Sequence, residues 1–215
     1  MLESIGLKIL QNLDAELAHK IALQYLKLKV FGSKKTPDYP SLRTQIAGMN
    51  LSNPVGLAAG FDKNAIAVRA LSQIGFGFIE IGAVTPLPQP GNPKPRAFRL
   101  KKEQAIINHY GFNNDGMIKI NSRLQKFSGE NILGLNIGAN KNSPNMTQDF
   151  MKVLAHCDEN IDFATINISS PNTKNLRSFQ QEEKLQDLLS SLAESETVLS
   201  SSVPMFIKIS PDLSD

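Results

Sequence analysis

From about residue 41 onward, the chain alternates short apolar runs with longer stretches of helical periodicity. The runs have the length and the β-branched content of buried strands, and the stretches between them are long enough for helices. The predicted strands cover residues 55–58, 78–81, 132–137, 163–168 and 205–209, and the predicted helices cover residues 65–74, 146–157 and 180–192. This alternation is typical of a parallel sheet covered by helices.

Two α/β folds satisfy this alternation, a (β/α)₈ TIM-type barrel and a doubly wound sheet. The doubly wound sheet that binds dinucleotides carries a Gly-x-Gly-x-x-Gly sequence after its first strand, and no such sequence follows residues 55–58. The barrel is therefore favoured. A complete barrel needs about 250 residues, whereas the chain has 215 residues. We therefore expect an incomplete barrel of about five strands, truncated on its C-terminal side.

Residues 1–40 show a different pattern, which predicts two short amphipathic helices followed by a linker. Asp14 separates the two helices and is suited to be the N-cap of the second. Pro37 and Pro40 mark the linker. We assign residues 1–40 to a small helical domain and residues 41–215 to the barrel. The apolar residues at helical spacing are Leu2, Ile5, Ile9 and Leu13 in the first helix and Leu17, Ile21, Tyr25 and Leu28 in the second.

Three lysines, Lys20, Lys27 and Lys29, lie beside the apolar positions of the second helix. This arrangement fits a helix that rests on a membrane surface, and it fits equally a helix docked on its own domain, which is the more frequent case. No stretch of the chain approaches the roughly 18 consecutive apolar residues that a membrane span requires. Any membrane contact is therefore expected to be peripheral.

The composition is that of an ordinary globular protein, with 41% hydrophobic and 20% charged residues. A net charge of +3 without a stripe of Lys and Arg does not indicate a nucleic-acid partner. The single cysteine, Cys157, cannot form an internal disulfide, and no signal segment opens the chain, so we expect a reducing interior and a packed helical position for Cys157. The sequence predicts no metal site.

Polar side chains follow each predicted strand at its carboxyl end, where parallel barrels carry their chemistry. A polar loop such as residues 167–173 is, taken alone, more often a turn whose Ser and Asn side chains bond their own backbone. Asn side chains, however, suit ligand edges on which N–H and C=O groups alternate, and buried lysines require an anion or an electron-rich ring. The pattern indicates an anionic heterocyclic ligand. These segments are residues 60–63, 83–86, Asn136, 167–173 and Lys208, with a further loop at 108–114.

Several consecutive motifs resemble dihydroorotate dehydrogenase of the membrane-associated, quinone-dependent class. The resemblance extends from the N-terminal helices to residues 211–214, and five motifs in one order are far more specific than any single motif. They are residues 53–63 (NPVGLAAGFDK), 82–92 (GAVTPLPQPGN), 95–100 (PRAFRL), 107–114 (INHYGFNN) and 167–173 (NISSPNT).

The resemblance implies an FMN enzyme of pyrimidine biosynthesis, which oxidises dihydroorotate to orotate and passes the electrons to a membrane quinone. It implies that Ser170, where soluble relatives have Cys, is the base that removes a proton from C5 while a hydride leaves C6 for the flavin. A serine hydroxyl needs an outlet for its own proton. The resemblance suggests a relay through Thr173 and a water molecule beside Phe112.

The remaining site residues are also carried over from the resemblance, motif by motif. Lys63 and the amides suit the carboxylate and the imide edge of orotate. Lys208 would place positive charge near the pyrimidine end of the flavin ring. The implied substrate contacts are Lys63, Asn108, His109, Tyr110, Gly111, Phe112, Asn167 and Asn172; the implied flavin contacts are Ala59, Gly60, Ala83, Asn136, Asn167 and Lys208; and the implied quinone-site residues are His19 and Arg99.

Two departures from the family pattern bear on function. Ala83 stands where the family usually has Ser or Thr against the flavin, and the loss of one such hydrogen bond costs about 1 kcal/mol. The strands and glycine-rich loops that hold the FMN phosphate in the family would follow residue 215.

The resemblance implies a peripheral enzyme on the cytoplasmic face of the bacterial inner membrane, or on the mitochondrial inner membrane if the source is a eukaryote. Two other hypotheses remain open. The chain could be an inactive remnant or a split-gene fragment that at most binds a membrane or a partner. It could also belong to another FMN barrel, such as a soluble dihydroorotate or dihydropyrimidine dehydrogenase. Ser170 and the two N-terminal helices count against this last hypothesis.

Overall fold

The structure is a computed structural model that describes residues 2–28, 39–173 and 176–213. Most of the predicted linker, including Pro37, lies outside the described residues, as does Lys29. In chain order, the described strands are β1 (Thr44–Ile46), β2 (Met49–Leu51), β3 (Gly56–Leu57), β4 (Phe78–Val84), β5 (Ala97–Leu100), β6 (Ala105–Asn108), β7 (Ile132–Ile137), β8 (Phe163–Asn167) and β9 (Met205–Lys208). The described α-helices are α1 (Leu2–Asn12), α2 (Ala15–Leu28), α3 (Val68–Leu71), α4 (Met117–Leu124), α5 (Met146–Cys157), α6 (Glu182–Ala193) and α7 (Glu196–Ser200).

The five predicted strands form one parallel sheet in the order β3-β4-β7-β8-β9. The helical connections lie between successive strands, as in a barrel that has not closed. The parallel direction of the central sheet agrees with the sequence prediction, and the strand order follows the order of the strands in the chain. The prediction of an incomplete α/β barrel is confirmed.

The side chains of the sheet alternate between two faces, because successive residues of a strand point in opposite directions. The outer face is apolar and packs under helices, with Ile81, Leu135 and Ile166 almost completely buried in the main core. Phe150 of α5 lies in the same core and contacts Phe179 edge to face. This packing holds the strands in register, so the side chains that alternate with these apolar residues point to the inner face of the sheet.

The inner face of the sheet begins with an aromatic layer at the amino ends of the strands. Phe163 makes edge-to-face contacts with Phe78, at 5.8 Å between ring centroids, and with Phe206, at 5.6 Å. Gly134 is required beside this layer, because a Cβ atom there would lie 2.0 Å from the Phe163 ring. The β1–β2 hairpin lines the same inner cavity of about 570 Å³. Polar side chains lie above the aromatic layer, at the carboxyl ends of the strands.

Two hairpins and two helices of the structure were not predicted from the sequence, and one predicted helix is shorter than expected. The unpredicted elements are the hairpins β1–β2 and β5–β6 and the helices α4 and α7. Both hairpins are short and partly exposed, so they lack the long apolar runs that identified the central strands. The predicted helix 65–74 contains only the short α3, since the Asp62 carboxylate accepts the backbone N–H groups of Ile66 and Ala67 in a turn before it.

The helical pair, defined as α1 and α2, matches the two predicted N-terminal helices. Asp14 is the N-cap of α2, because its Oδ1 accepts the Leu17 N–H at 2.9 Å. The buried residues of α2 are Ala18 and Leu23, and the helix packs against α3 and β5. Docking is thus confirmed for α2, but the predicted apolar stripe is not the docked face. Its members Leu17, Ile21, Tyr25 and Leu28 are 42–82% exposed.

The environment of Cys157 and the lengths of the helices bear on two further expectations from the sequence. Cys157 is buried at the end of α5, as predicted, and burial raises the pKa of its thiol to about 12. Within the described ranges, no helix has the length and apolar character that crossing a membrane requires.

Candidate active site

A chain of hydrogen-bonded side chains crosses the inner face of the sheet at the carboxyl ends of β4, β7 and β8. Asn136 Nδ2 donates to Glu80 Oε1 at 2.9 Å, and Asn167 Nδ2 donates to Asn136 Oδ1 at 2.8 Å. Asn167 Oδ1 accepts from both the backbone N–H and the hydroxyl of Ser169, at 3.1 and 2.9 Å. The other Glu80 oxygen accepts the Ala59 N–H at 3.2 Å. The structure therefore joins Ala59, Asn136 and Asn167, three predicted flavin contacts, through Glu80, which the sequence analysis missed.

The loop after β3 is built around a buried aspartate. Asp62 accepts the backbone N–H groups of Asn64, Ile66 and Ala67. This turn presents Lys63, whose Nζ donates to the Gly60 carbonyl at 2.5 Å and lies 4.2 Å from the centroid of the Tyr110 ring. Burial of the ammonium group lowers the pKa of Lys63 from 10.5 to about 8. Two predicted substrate contacts, Lys63 and Tyr110, are thus in direct contact.

Gly60 and Ala83 lie beside each other at the ends of β3 and β4. The Gly60 N–H donates to the Gly82 carbonyl at 2.9 Å. Gly60 has a φ of 106°, and a Cβ atom added there would meet no heavy atom within 4 Å. A flat group could therefore approach the backbone closely at Gly60. A Cβ added at Gly138 would lie 3.0 Å from the Phe112 ring and 3.4 Å from Ala83, so these two residues flank Gly138.

The loop 108–114 is fixed by amides that the sequence analysis did not single out. Gln89 Nε2 donates to the carbonyls of Gly111 and Phe112 at 3.2 and 3.1 Å. Asn92 Nδ2 donates to the His109 carbonyl at 2.9 Å. The His109 ring stacks on Phe98, with centroids 5.9 Å apart.

Two further amides join that loop to its surroundings. Asn114 bonds both Thr85 Oγ1, at 2.8 Å, and the Phe112 carbonyl, at 2.8 Å, while Asn140 donates to Gln89 Oε1 at 3.0 Å. Most of these residues lie within the motifs 82–92 and 107–114. Only their polarity and their place in those motifs could have identified them.

The loop after β8 carries Ser170, Asn172 and Thr173. Ser170 Oγ accepts the Asn172 N–H at 3.3 Å, and Arg177 Nε donates to the Ser169 carbonyl at 3.0 Å. Thr173 is buried. Within the described part of the chain, no hydrogen bond joins Ser170 to Thr173, so the predicted relay stays a prediction.

Asn108 and Lys208 end strands on either side of this region and are both exposed. Asn108 closes β6 opposite Ala97, and Lys208 closes β9 opposite Asn167 in the parallel register. Lys208 also lines the inner cavity together with Glu80 and Thr165. The structure therefore brings Lys208 to the same edge of the sheet as Asn167 and leaves Asn108 at the rim.

The helical pair and the barrel enclose a second cavity of about 430 Å³. His19 and Arg99 both line it, together with Gly60, Lys63 and Tyr110. One His19 ring nitrogen lies 2.7 Å from the Phe61 carbonyl oxygen, and burial, followed by the nearby Lys63 charge, lowers the pKa of His19. The structure thus places the two predicted quinone-site residues on the same cavity as Lys63 and Tyr110, two of the eight predicted substrate contacts.

Charged hydrogen bonds attach the helical pair to the barrel. Glu16 of α2 receives two bonds from the buried Arg96, at 3.0 and 2.7 Å, and this contact with Arg96 lowers the pKa of the Glu16 carboxyl group. Arg96 also donates to the carbonyls of Pro90 and Asn92. Arg99 Nη1 donates to the Leu13 carbonyl at 2.6 Å, at the junction of α1 and α2. The sequence analysis missed the Glu16–Arg96 pair, because the two residues are far apart in the chain.

A barrel-type parallel sheet whose strands end in amides and a lysine defines a barrel protein with a ligand site at the carboxyl ends of its strands. The sequence model of the dihydroorotate dehydrogenase family matches residues 41–215. The chain belongs to this family, and the resemblance found in the sequence is confirmed.

The chain is similar to curated relatives over its whole length. One, named Dihydroorotate dehydrogenase (quinone) and from Cereibacter sphaeroides, is 48% identical over 100% of this chain and 61% of its own. Another with the same name, from Bartonella tribocorum, is 46% identical over 98% of this chain and 59% of its own. The chain therefore spans about three fifths of the length of these relatives.

Solved structures show the same fold. A ligand-free DHODH from Eimeria tenella superposes with a TM-score of 0.83 at 39% identity, over 94% of this chain and 63% of its own. The ferulenol complex of DHODH from the same organism gives a TM-score of 0.80 at 39% identity, over 93% of this chain and 60% of its own.

Proposed function

We propose that this chain carries the N-terminal part of the site of a quinone-dependent dihydroorotate dehydrogenase, which oxidises dihydroorotate to orotate in pyrimidine biosynthesis. The observation that carries the proposal is that relatives with this name match the whole chain, including both helices of the helical pair. A soluble FMN barrel would not explain that match. The cavity shared by His19, Arg99 and Lys63 supports the proposal, because it lies between the helical pair and the barrel.

The residues at the carboxyl ends of the strands fit FMN as the cofactor. The backbone at Gly60 is open to a flat ring, and the buried amides of Asn136 and Asn167 each keep one N–H free to donate to a pyrimidine edge. Lys208 supplies positive charge at the same edge of the sheet. When bound, FMN would accept the hydride that leaves C6 of dihydroorotate. Ala59 and Ala83 complete the proposed set of contacts, with Ala83 offering no hydroxyl.

The substrate, in this proposal, lies between Lys63 and the loop 108–114. Lys63 carries its proton below a pH of about 8 and can therefore pair with the carboxylate of dihydroorotate at neutral pH. Gln89 and Asn92 hold the loop carbonyls, so the loop is ordered before a substrate enters. The amides of Asn108, Asn167 and Asn172 suit the imide edge, and His109, Tyr110, Gly111 and Phe112 form the wall of the site.

Ser170 is proposed to be the base that takes the proton from C5. The Asn172 N–H and the bond from Arg177 to the Ser169 carbonyl hold the loop that presents it. A serine hydroxyl acts as a base only if its own proton can leave. The proposed outlet is Thr173 with a water molecule beside Phe112.

Electrons would leave through the cavity of the helical pair, where His19 and Arg99 are the proposed quinone contacts. The exposed apolar side chains of both helices, such as Leu7, Leu17 and Tyr25, suit a peripheral position on a membrane. We propose the cytoplasmic face of the bacterial inner membrane, or the mitochondrial inner membrane if the source is eukaryotic.

A second candidate function is favoured by one observation, namely that the chain spans only 61% of the relative from Cereibacter sphaeroides. In this alternative, the 215-residue chain is a fragment that keeps the site residues but does not catalyse the reaction. The inner face of the sheet is then a surface for the rest of the barrel.

The purified chain is mixed with FMN and freed of unbound FMN by gel filtration, and its visible absorption spectrum, recorded before and after anaerobic addition of dihydroorotate, separates the two candidates. The proposal predicts a bound flavin band that dihydroorotate bleaches. The Ser170→Ala variant should keep the band and bleach by about 10²–10⁴-fold more slowly, since it lacks the base. The Ser202→Ala variant, changed at an exposed serine, should behave like the original chain. A chain that holds no flavin would support the fragment instead.

A further inference from the structure

Glu80 is a buried carboxylate in the middle of the sheet, and it lies outside the sets of residues proposed above to contact the ligands. It is 8% exposed, and it forms no ion pair within the described residues. Its two oxygens accept from the neighbours on either side, one from the Ala59 N–H in the turn after β3 and the other from Asn136 Nδ2 of β7. A buried carboxylate without a cation is unfavourable for stability, so its position calls for another explanation.

The hydrogen bonds around Glu80 run in a single direction. A carboxamide donates at its nitrogen and accepts at its oxygen, whereas a carboxylate only accepts. Ser169 donates to Asn167, Asn167 donates to Asn136, and Asn136 donates to Glu80. Glu80 is therefore the terminal acceptor of this series of hydrogen bonds, because its carboxylate has no proton to donate further.

We propose that Glu80 is a positioning residue, which holds the Ala59 N–H directly and sets the orientation of the Asn136 and Asn167 amides, and through Asn167 that of the Ser169 backbone. The inference rests on the proposed function, because Asn136 and Asn167 matter as flavin contacts and Ser169 precedes the proposed base. Glu80 does not touch the substrate in this role. It supplies two acceptors at once, and both are needed.

A glutamine at position 80 has the same shape but only one acceptor atom. If its oxygen faces Ala59, its NH₂ group faces Asn136, and both asparagine amides must then turn round. Asn167 would present its NH₂ group to the Ser169 N–H, where two donors would meet. If instead the oxygen faces Asn136, the Ala59 N–H loses its acceptor. In both orientations, one backbone N–H, either that of Ala59 or that of Ser169, is left without an acceptor.

A double variant restores the donors and acceptors without restoring Glu80. In Glu80→Gln with Asn136→Asp, the Gln oxygen accepts the Ala59 N–H and the Gln NH₂ group donates to the new carboxylate. The second oxygen of that carboxylate accepts from Asn167, so Asn167 and Ser169 keep their original orientation. The number of charges and the side-chain volumes hardly change.

The test is amide hydrogen exchange at Ala59 and Ser169, measured by NMR on the full chain without any ligand. Glu80→Gln should reduce the protection of one of these two N–H groups by about tenfold, the equivalent of one lost charged hydrogen bond. The double variant should return both N–H groups to within about threefold of the original protection. Glu103→Gln, in the exposed turn between β5 and β6, is the matched control and should change neither.

Unchanged protection at both N–H groups in Glu80→Gln would overturn the inference, and so would a double variant that is no better protected than the single one. If Glu80→Gln does not fold, the double variant decides. Original protection in the double variant supports the role of Glu80, and loss of protection overturns it. A purely structural need for a carboxylate at position 80 would not be met by moving that carboxylate to position 136.

A separate titration with FMN, followed by quenching of flavin fluorescence, connects Glu80 to the proposed function. Glu80→Gln should raise the dissociation constant for FMN by about tenfold, because misplaced amides no longer match the ring. If the original chain binds no FMN, the proposed function fails for this chain. The exchange measurement still tests Glu80 in that case, since it needs no flavin.

Discussion

The central sheet and the helical pair are held in place by different kinds of interaction. The sheet is fixed by an apolar outer face under α5 and, on its inner face, by a hydrogen-bonded chain that ends at Glu80. The helical pair buries Ala18 and Leu23, contacts Phe61 through His19, and is further attached by charged hydrogen bonds to the barrel. We infer that the sheet orients its polar residues rigidly, whereas the helical pair can leave the barrel at a smaller cost in free energy.

This difference bears on the cavity that the two regions share. Lys63 and Tyr110 belong to the barrel, and His19 belongs to the helical pair. The cavity exists only while the helical pair is docked. The substrate end of the proposed site is therefore built into the sheet and its loops, and the proposed quinone end depends on the docking contacts.

The largest expected effect comes from the core of the sheet. Phe150→Ala removes a fully buried ring between α5 and the sheet and should lower the free energy of unfolding by about 3–5 kcal/mol. Urea titration of the variant and the original chain measures this loss in the free energy of unfolding. Phe98→Ala, at a ring that is 40% exposed, should cost about 1 kcal/mol or less. Equal losses in the two variants would contradict the idea that the outer face of the sheet provides most of the stability.

A smaller effect, confined to the helical pair, is expected from Arg96→Ala. The change removes two bonds to Glu16 and two to backbone carbonyls, and it should lower the local stability of α2 by about 2–3 kcal/mol. Hydrogen exchange should quicken in α2 and stay unchanged in β7.

Lys94→Ala is the control for this prediction, because Lys94 also pairs with Glu16, at 3.3 Å, but is largely exposed. Lys94→Ala should change the local stability of α2, measured by hydrogen exchange, by less than about 1 kcal/mol. If Arg96→Ala quickened exchange in β7 as much as in α2, the two regions would not be separable.

The third prediction concerns Lys63, which the docked helical pair helps to shield from water. Burial lowers its pKa to about 8 because it disfavours the charged form. In Arg96→Ala the helical pair opens more often, so Lys63 gains water and loses the neighbouring Arg96 charge, but it also loses contact with the Glu16 charge, which raises its pKa. Because burial is the largest cause of the lowered pKa, the net change should be a rise towards 10.5. An NMR titration of the lysine side chains measures the change.

The direction of this shift has a consequence for binding. In the original chain, Lys63 loses its charge as the pH rises through about 8, so the proposed site should bind an anion such as orotate more weakly above that pH. In Arg96→Ala the fall should occur at higher pH. A pKa that stays near 8 in the variant would show that α2 contributes little to the burial of Lys63.

The same comparison explains what the sequence could and could not predict. The central strands were predictable because their outer residues, such as Ile81 and Leu135, belong to long apolar runs. The sequence could show that Asn136 and Asn167 lie near the carboxyl ends of those runs, and their role as site residues stays a prediction. Glu80 lies within a run and not at its end, and its partners are Ala59 in the turn after β3 and Asn136 in the neighbouring strand β7. Its role depends on strand register, which a single sequence does not reveal.

The helical pair was predicted as two helices, but the docked face of α2 was not identified. Large apolar residues at helical spacing pointed to the stripe with Leu17 and Tyr25, whereas the buried positions include the small residue Ala18. Small residues allow a helix to approach a neighbouring element closely, and a hydrophobicity pattern gives them little weight. The helix α2 therefore has two apolar faces: a docked face with Ala18 and Leu23, and an exposed face with Leu17 and Tyr25.

The smallest effect on stability is expected from that exposed face. Leu17→Ser combined with Ile21→Ser should change the free energy of unfolding by about 0.5 kcal/mol or less per site, because both side chains already contact water. Leu23→Ala, on the docked face, should cost about 2 kcal/mol or more. Sedimentation with vesicles of anionic phospholipid should show the opposite order, with the serine variant binding more weakly and Leu23→Ala binding like the original chain. If the serine variant sedimented normally, the exposed stripe would not be a membrane contact, and the two faces of α2 would differ only in packing.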